Sequence, residues 1–87
     1  MTPEEALEAA QDAGRTGRLD WTPHAYEQAR KRNIKKLDAR AALASATHAV
    51  YQPENDRWRI EGGQDLEGDD LTVVVVFEGL LVIITFF

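Results

Sequence analysis

The 87-residue chain contains no cysteine, which excludes a disulfide scaffold, a thiol nucleophile and a thiolate zinc site. It also lacks an excess of basic charge, since 15 acidic and 10 basic side chains give a net charge of −5. That balance argues against a plain polyanion binder. The start of the chain shows neither a basic segment nor an apolar stretch, so no secretory signal is recognised. Because these features fit a reducing compartment, we expect a cytoplasmic protein.

Several motifs that carry chemistry are also missing. The chain has no Walker loop, no G-x-G-x-x-G, no H-E-x-x-H and no EF-hand loop. Its two histidines, His24 and His48, lie 24 residues apart and have no cysteine partner, which does not match a zinc site. The acidic, glycine-rich segment 62–70 lacks the ligand spacing of a calcium loop. We therefore expect no metal and no cofactor.

The longest apolar stretch, residues 71–87, is interrupted by Glu78-Gly79 and is rich in valine, isoleucine and threonine. A membrane-spanning helix needs about 20 unbroken apolar residues, so we expect no membrane partner. The composition instead favours two buried strands joined by a tight hairpin. Two fully apolar strands need cover on both sheet faces, and three short helices cover only one. An apolar face is then left for a partner or a second copy.

The chain is short enough for a single domain, residues 1–87, and the hydrophobic period divides it into helices followed by strands. Helix-start signals occur at Thr2-Pro3 and Thr22-Pro23, and Gly14 is the expected stop of the first helix. The predicted helices cover residues 3–13, 23–32 and 36–46. The predicted strands cover residues 49–52, 57–61, 71–77 and 80–87, and Leu19–Trp21 is short and extended. We expect an α+β fold in which three N-terminal helices pack on one face of a C-terminal antiparallel four-stranded β-meander.

Charge is unevenly distributed along the chain. Residues 15–40 carry eight bases against three acids, a net charge of +5, whereas residues 1–14 carry −4 and residues 41–87 carry −6. A basic block between acidic flanks is a candidate anion-binding face. The alternative is an ordinary solvated helix surface with ion pairs between neighbouring turns.

His24 is the first candidate site residue, because Thr22-Pro23 places it in the first turn of the second helix. An imidazole beside free backbone N–H groups suits a general base or a phosphate contact, although it could equally be an exposed helix-start histidine. Gln28, Lys31 and Lys35 follow at helical spacing and extend a polar stripe from His24. Arg32, one turn beyond Gln28, could bind a phosphate on two sides.

The strands add a second group of candidates. Arg57 and Arg59 have the same parity, so both should project from one sheet face, where they could stabilise a phosphorane-like transition state or pair with Glu61. Tyr51 is a candidate proton donor, although such a residue is more often half-buried strand packing. His48 has no recognisable partner, and we interpret it as structural or surface.

Several segments resemble a small prokaryotic family, the domain of unknown function forty-two fifty-eight. They are Trp21-Thr22-Pro23-His24-Ala25, Arg32-Asn33-Ile34, Trp58-Arg59-Ile60-Glu61-Gly62, Asp65-Leu66-Glu67-Gly68 and the strand-forming 71–76 and 82–86. The likeness covers residues 18–87, and residues 1–17 would be an added N-terminal helix and loop. That family is in turn similar to the RelE, BrnT and MqsR mRNA-cleaving toxins, which share the barnase–EndoU–colicin–RelE fold.

The resemblance implies the toxin of a toxin–antitoxin pair that cuts RNA without a metal. A base would activate the 2′-hydroxyl, arginines would bind the phosphate and an acid would protonate the leaving oxygen. The implied catalytic residues are His24, Arg32, Arg59 and Tyr51. The expected RNA-binding residues are Arg30, Lys31, Lys35 and Arg57. The expected partners are RNA and either a cognate antitoxin or a second copy, bound through the apolar sheet face or edge. Two alternatives stay open: a plain RNA-binding domain, and a non-catalytic protein-interaction or dimerisation module.

Overall fold

The computed structural model describes all 87 residues, which form three helices and one five-stranded sheet. In chain order the elements are α1 (Pro3–Thr16), β1 (Leu19–Trp21), α2 (Pro23–Arg32), α3 (Lys36–Ser45), β2 (His48–Gln52), β3 (Arg57–Glu61), β4 (Val73–Glu78) and β5 (Leu80–Phe86). The expected mixed α+β class is therefore confirmed.

Helix α1 begins as the sequence predicts but ends later. The Glu5 backbone N–H donates to Thr2 Oγ1 at 3.1 Å, and the Thr2 N–H donates to Glu5 Oε1 at 2.7 Å, which completes a capping box. The predicted stop at Gly14 is wrong, because the helix continues to Thr16 and ends at Gly17, whose φ is 78°. Gly14 is buried against α3, where a Cβ would lie 2.6 Å from the backbone of that helix. Glycine is therefore required here because α1 and α3 approach each other closely, and not because it ends the helix.

Both predicted boundaries of α2 are confirmed, and one cap residue also joins the helix to the sheet. Thr22 Oγ1 accepts the Ala25 N–H at 3.1 Å and donates to the Ile83 carbonyl at 3.0 Å. Asn33, in the left-handed conformation with φ of 56°, ends the helix.

The predicted four-stranded, purely antiparallel sheet is wrong, because the sheet has a fifth strand. The strand order is β1-β5-β4-β3-β2, and β1 pairs with β5 in parallel, with Leu19 opposite Leu81 and Trp21 opposite Ile83. The other neighbouring pairs are antiparallel. The extended segment at Leu19–Trp21 satisfies the backbone groups along the free edge of β5. A run of three residues between two helices is too short for its period to reveal this pairing.

All three helices lie on one face of the sheet. Their buried alanines form a single core cluster with the strand side chains that point toward them, among which Ile60, Val73, Val75 and Ile83 are almost fully buried. The alternate strand residues point to the other side, which no helix covers. This open face carries His48, Val50, Arg57, Arg59, Glu61, Val74, Val76 and Val82.

The apolar C-terminal segment forms the β4–β5 hairpin, as predicted. Gly79 makes the turn with φ of 79°, a conformation that favours glycine. None of the helices has the length and apolar character needed to cross a membrane.

Candidate functional site on the open sheet face

An imidazole, a carboxylate and a guanidinium meet on the open face. The antiparallel register of β2 and β3 places His48 opposite Glu61. His48 Nε2 lies 2.8 Å from Glu61 Oε1, and Arg59 Nε lies 3.1 Å from Glu61 Oε2. Glu61 therefore contacts both neighbours, one with each oxygen. We refer to His48, Glu61 and Arg59 as the sheet cluster.

Thr47 and Gly62 hold the imidazole in place from the other side. Thr47 Oγ1 lies 2.9 Å from His48 Nδ1, so both ring nitrogens are engaged. The Thr47 N–H donates to the Glu61 carbonyl at 2.9 Å, which ties the start of β2 to the end of β3. Gly62 has φ of 83°, and a Cβ at this position would clash directly with Thr47 Oγ1. The hydroxyl therefore occupies space that only a glycine leaves free.

Arg59 retains capacity to bind an anion. Its Nε is buried and has no directed hydrogen bond, because the N–H is not aimed at the Glu61 carboxylate despite the short distance. Its two Nη groups make no hydrogen bond to the protein, and its Cζ lies 5.4 Å from the Phe87 ring centroid. The side chain is 39% exposed, so a phosphate could approach the free end of the guanidinium.

Arg57 and Arg59 project from the same face, as predicted, but Tyr51 does not join them. Tyr51 pairs with Trp58, and their rings are 5.0 Å apart on the helix-covered side of the sheet. The Tyr51 hydroxyl donates to Asp56 Oδ1 at 2.5 Å, and this hydrogen bond raises the pKa of the phenol. Tyr51 therefore lies on the opposite side from Arg59 and is held in its protonated form.

His24 and Arg32 are both exposed on α2, which packs against β5. Eight positions separate them, which corresponds to about 12 Å along the helix axis. No hydrogen bond or ion pair joins either residue to Arg59 or Tyr51. The structure thus does not assemble the four predicted catalytic residues into one cluster.

The expected polar stripe is also shorter than the sequence suggests. Lys31 pairs with Glu27 across one turn at 3.4 Å, which is an ordinary exposed ion pair. Lys35 lies beyond the end of α2, and its N–H donates to Asp38 Oδ2 at 3.0 Å at the start of α3. The predicted continuation of the stripe to Lys35 along α2 is therefore wrong.

Sequence reasoning missed His48 and Thr47 as members of a site. It named Glu61 only as a possible ion-pair partner of the strand arginines, which the contact with Arg59 confirms. The turn that follows Gln52 and precedes Arg57 fixes the hairpin register, and counting outward from it pairs His48 with Glu61. Because side chains alternate between the two faces of a strand, His48 and Glu61 then lie on the face that carries Arg59. The information was present in the sequence, but it depended on the length of one turn.

Comparison with known proteins does not identify the chain. No protein-family model matches it, and no curated protein or solved structure is detectably similar to it. No group of three or more histidine, aspartate or glutamate side chains is arranged to hold a metal ion.

Proposed function

We propose that the protein is a toxin-type RNA-cleaving domain that works without a metal and binds its substrate on the open sheet face. The observation that carries the proposal is the sheet cluster, in which His48 and Arg59 contact the two oxygens of Glu61. A base held in orientation by a third group, beside a cation, is the arrangement that proton transfer at a phosphodiester requires.

In this mechanism His48 carries the proton. Glu61 holds Nε2, which leaves Nδ1 to accept the proton of an RNA 2′-hydroxyl once Thr47 Oγ1 rotates away. The 2′-oxygen attacks the adjacent phosphorus and the bond from phosphorus to the 5′-oxygen breaks. The imidazolium then returns the proton to that oxygen, so the products are a 2′,3′-cyclic phosphate and a 5′-hydroxyl. Arg59 stabilises the charge that develops on the phosphate oxygens.

The remaining basic residues have a binding role in this proposal. Arg57 adds a second cation on the open face, because it lies two residues before Arg59 on the same strand. Arg30, Lys31 and Lys35 would contact the RNA backbone on the helical side, where the positive charge of the sequence is concentrated.

A second proposal, the non-catalytic interaction module, is favoured by a different observation. Val50, Leu80 and Phe87 are 43%, 45% and 62% exposed, although apolar side chains of this size are usually buried. In this proposal an antitoxin or a second copy covers them, and the sheet cluster helps to position that partner.

The test is cleavage of single-stranded RNA by the purified chain in the presence of a metal chelator, with detection of 2′,3′-cyclic phosphate ends. His48→Ala and Glu61→Gln should each lower the rate by about 10²- to 10⁴-fold, the range for loss of general acid–base catalysis. Glu54→Gln, which changes an exposed carboxylate in the β2–β3 turn, is the matched control and should leave the rate unchanged.

Two outcomes would contradict this mechanism. Loss of cleavage in His24→Ala but not in His48→Ala would move the site to α2. A result in which the folded wild-type protein neither binds nor cleaves RNA at low salt, alone or with ribosomes, would exclude the toxin proposal. In that case sedimentation of the purified chain would test the interaction module, which predicts a species larger than the monomer.

A further inference from the structure

Two stacked aromatic rings form a platform at the opposite edge of the sheet from the sheet cluster. Trp21 of β1 and Tyr26 of α2 have ring centroids 5.0 Å apart and planes inclined by 17°. Trp21 also contacts the buried Phe86 at 5.4 Å, so the platform is supported by the core. Tyr26 is nevertheless 49% exposed, which makes it the outer member of the aromatic stack.

Two grooves flank the aromatic stack and share it and Lys36 as lining residues. Their volumes are about 560 Å³ and 740 Å³. The first also contains Arg30 and Glu27, and the second contains Arg40 and Asp20. Because Lys36 is shared, the two grooves together contain three cations against two carboxylates, in the part of the chain whose net charge is positive. Arg40 already donates to the backbone carbonyls of Gly14 and Arg15, which leaves Arg30 and Lys36 for a ligand.

We propose that the aromatic stack binds one nucleotide unit of single-stranded RNA, with the base on Tyr26 and the adjacent phosphates on Lys36 and Arg30. This inference rests on the proposed function, because RNA is taken as the ligand. Exposed aromatic faces beside cations are the general means by which proteins bind unpaired nucleic acid, since every base has a flat face.

The geometry favours a base over an acidic peptide. A third planar ring continues a stack that already contains two nearly parallel rings, whereas a carboxylate side chain needs only the cations. Lys36 Nζ lies over the Tyr26 ring, 5.7 Å from its centroid, and makes no ion pair. Cation–π contacts at exposed sites are weak, so a base can displace this ammonium, which then becomes available for a phosphate.

The platform is distinct from the proposed cleavage site. Trp21 is opposite the buried Ile83 and lies on the helix-covered face, whereas the sheet cluster lies on the open face. Strands β5 and β4 also separate β1 from β3 by about 14 Å across the sheet. The aromatic stack would therefore hold a nucleotide away from the scissile phosphate and act in binding, not in proton transfer.

Binding is measured with a labelled 2′-O-methyl RNA octamer, which has no free 2′-hydroxyl and cannot be cleaved by the proposed route. Tyr26→Ala should weaken binding by about 5- to 150-fold, the effect of losing one stacked base. Tyr26→Phe keeps the ring and should bind like wild type. Lys36→Gln should reduce the salt dependence by about one phosphate contact, which is about 0.7 in the slope of log K against log salt. An octamer with abasic positions should bind more weakly and should not respond to Tyr26→Ala.

Equal binding by wild type and Tyr26→Ala, with the latter still folded by circular dichroism, would overturn the inference and leave the proposed function intact. Competition by a glutamate-rich peptide as strong as by the octamer would show an anion site without base recognition and would also overturn it. Normal binding of the octamer by His48→Ala, together with loss in Tyr26→Ala, would support it. Cleavage by Tyr26→Ala with a raised KM and unchanged kcat would support it independently. If wild type binds no RNA, the proposed function and this inference both fail.

Discussion

Substitution of Gly62 by alanine tests whether Thr47 Oγ1 lies directly over Gly62, where it also contacts His48 of the sheet cluster. Two separate costs are expected. The first is conformational, because Gly62 has φ of 83° and a side chain in this region costs about 1–2 kcal/mol. The second is steric, because the new Cβ would occupy the position of Thr47 Oγ1. Because Thr47 is exposed and its side chain can turn away, we expect this part to cost about 1 kcal/mol, the lower end of the range for overpacking.

The two costs can be separated by changing Thr47. In a Thr47→Ala background the hydroxyl is gone and the nearest remaining atom is the Cβ of residue 47 at 3.0 Å, so Gly62→Ala should cost little more than the conformational part, about 1–2 kcal/mol. In a Thr47→Ser background the hydroxyl is retained, so the full cost of about 2–3 kcal/mol should return. The difference between the two backgrounds is a coupling free energy of about 1 kcal/mol, which is within the range for residues in direct contact.

Thermal unfolding followed by circular dichroism measures these differences. A change of 1 kcal/mol should shift the Tm of a chain of this size by about 4–8 °C, so the coupling is easily resolved. Equal destabilisation by Gly62→Ala in the alanine and serine backgrounds would refute the placement of Thr47 Oγ1 over Gly62.

Two further predictions follow from single contacts. Gly14→Ala would normally stabilise a helix by about 1 kcal/mol, but here the new Cβ would lie 2.6 Å from the α3 backbone. We therefore expect a lower Tm, and a raised Tm would show that α1 and α3 are further apart. The hydrogen bond to Asp56 raises the pKa of Tyr51 above 10.0 in the folded state, so its stabilising contribution is complete below that pH and is lost as the pH rises through the folded pKa. The difference in urea midpoint between wild type and Tyr51→Phe should accordingly shrink at strongly alkaline pH, and Asp56→Asn should lower the pKa of Tyr51 in an ultraviolet titration.

The helix ends show which local rules were sufficient. Thr2, Thr22 and Asn33 act at the positions that capping chemistry predicts, because a cap is satisfied by atoms within a few residues. The prediction that α1 ends at Gly14 was wrong because glycine serves two different purposes in this part of the chain. At Gly17 glycine supplies a positive φ, and at Gly14 it permits contact with another helix, which no local pattern reveals.

The fifth strand could not be predicted for a related reason. Leu19–Trp21 forms its backbone hydrogen bonds with β5, about sixty positions further along the chain. Its three side chains alternate correctly, but three residues do not distinguish a strand from an extended loop. The aromatic stack depends on this strand, since β1 supplies Trp21, and so it was also invisible in the sequence.

The sheet cluster was harder to predict from the sequence than the helix caps and easier than the fifth strand. Its charges also bear on how a chain of net negative charge would bind RNA. Its three residues are within fourteen positions of each other, and the hairpin register alone brings them together. Most of the acidic charge lies elsewhere, in α1 and in the 62–70 loop, so the net charge of −5 is not the charge that a bound phosphate would meet. On β2 and β3 the open face carries Arg57 and Arg59 against Glu61, which Arg59 and His48 already engage, whereas Glu78 and Asp20 lie on the same face in β4 and β1. The affinity for RNA should therefore fall with salt according to the phosphates that these arginines and the basic residues of the helical side contact, not according to the net charge of the whole protein.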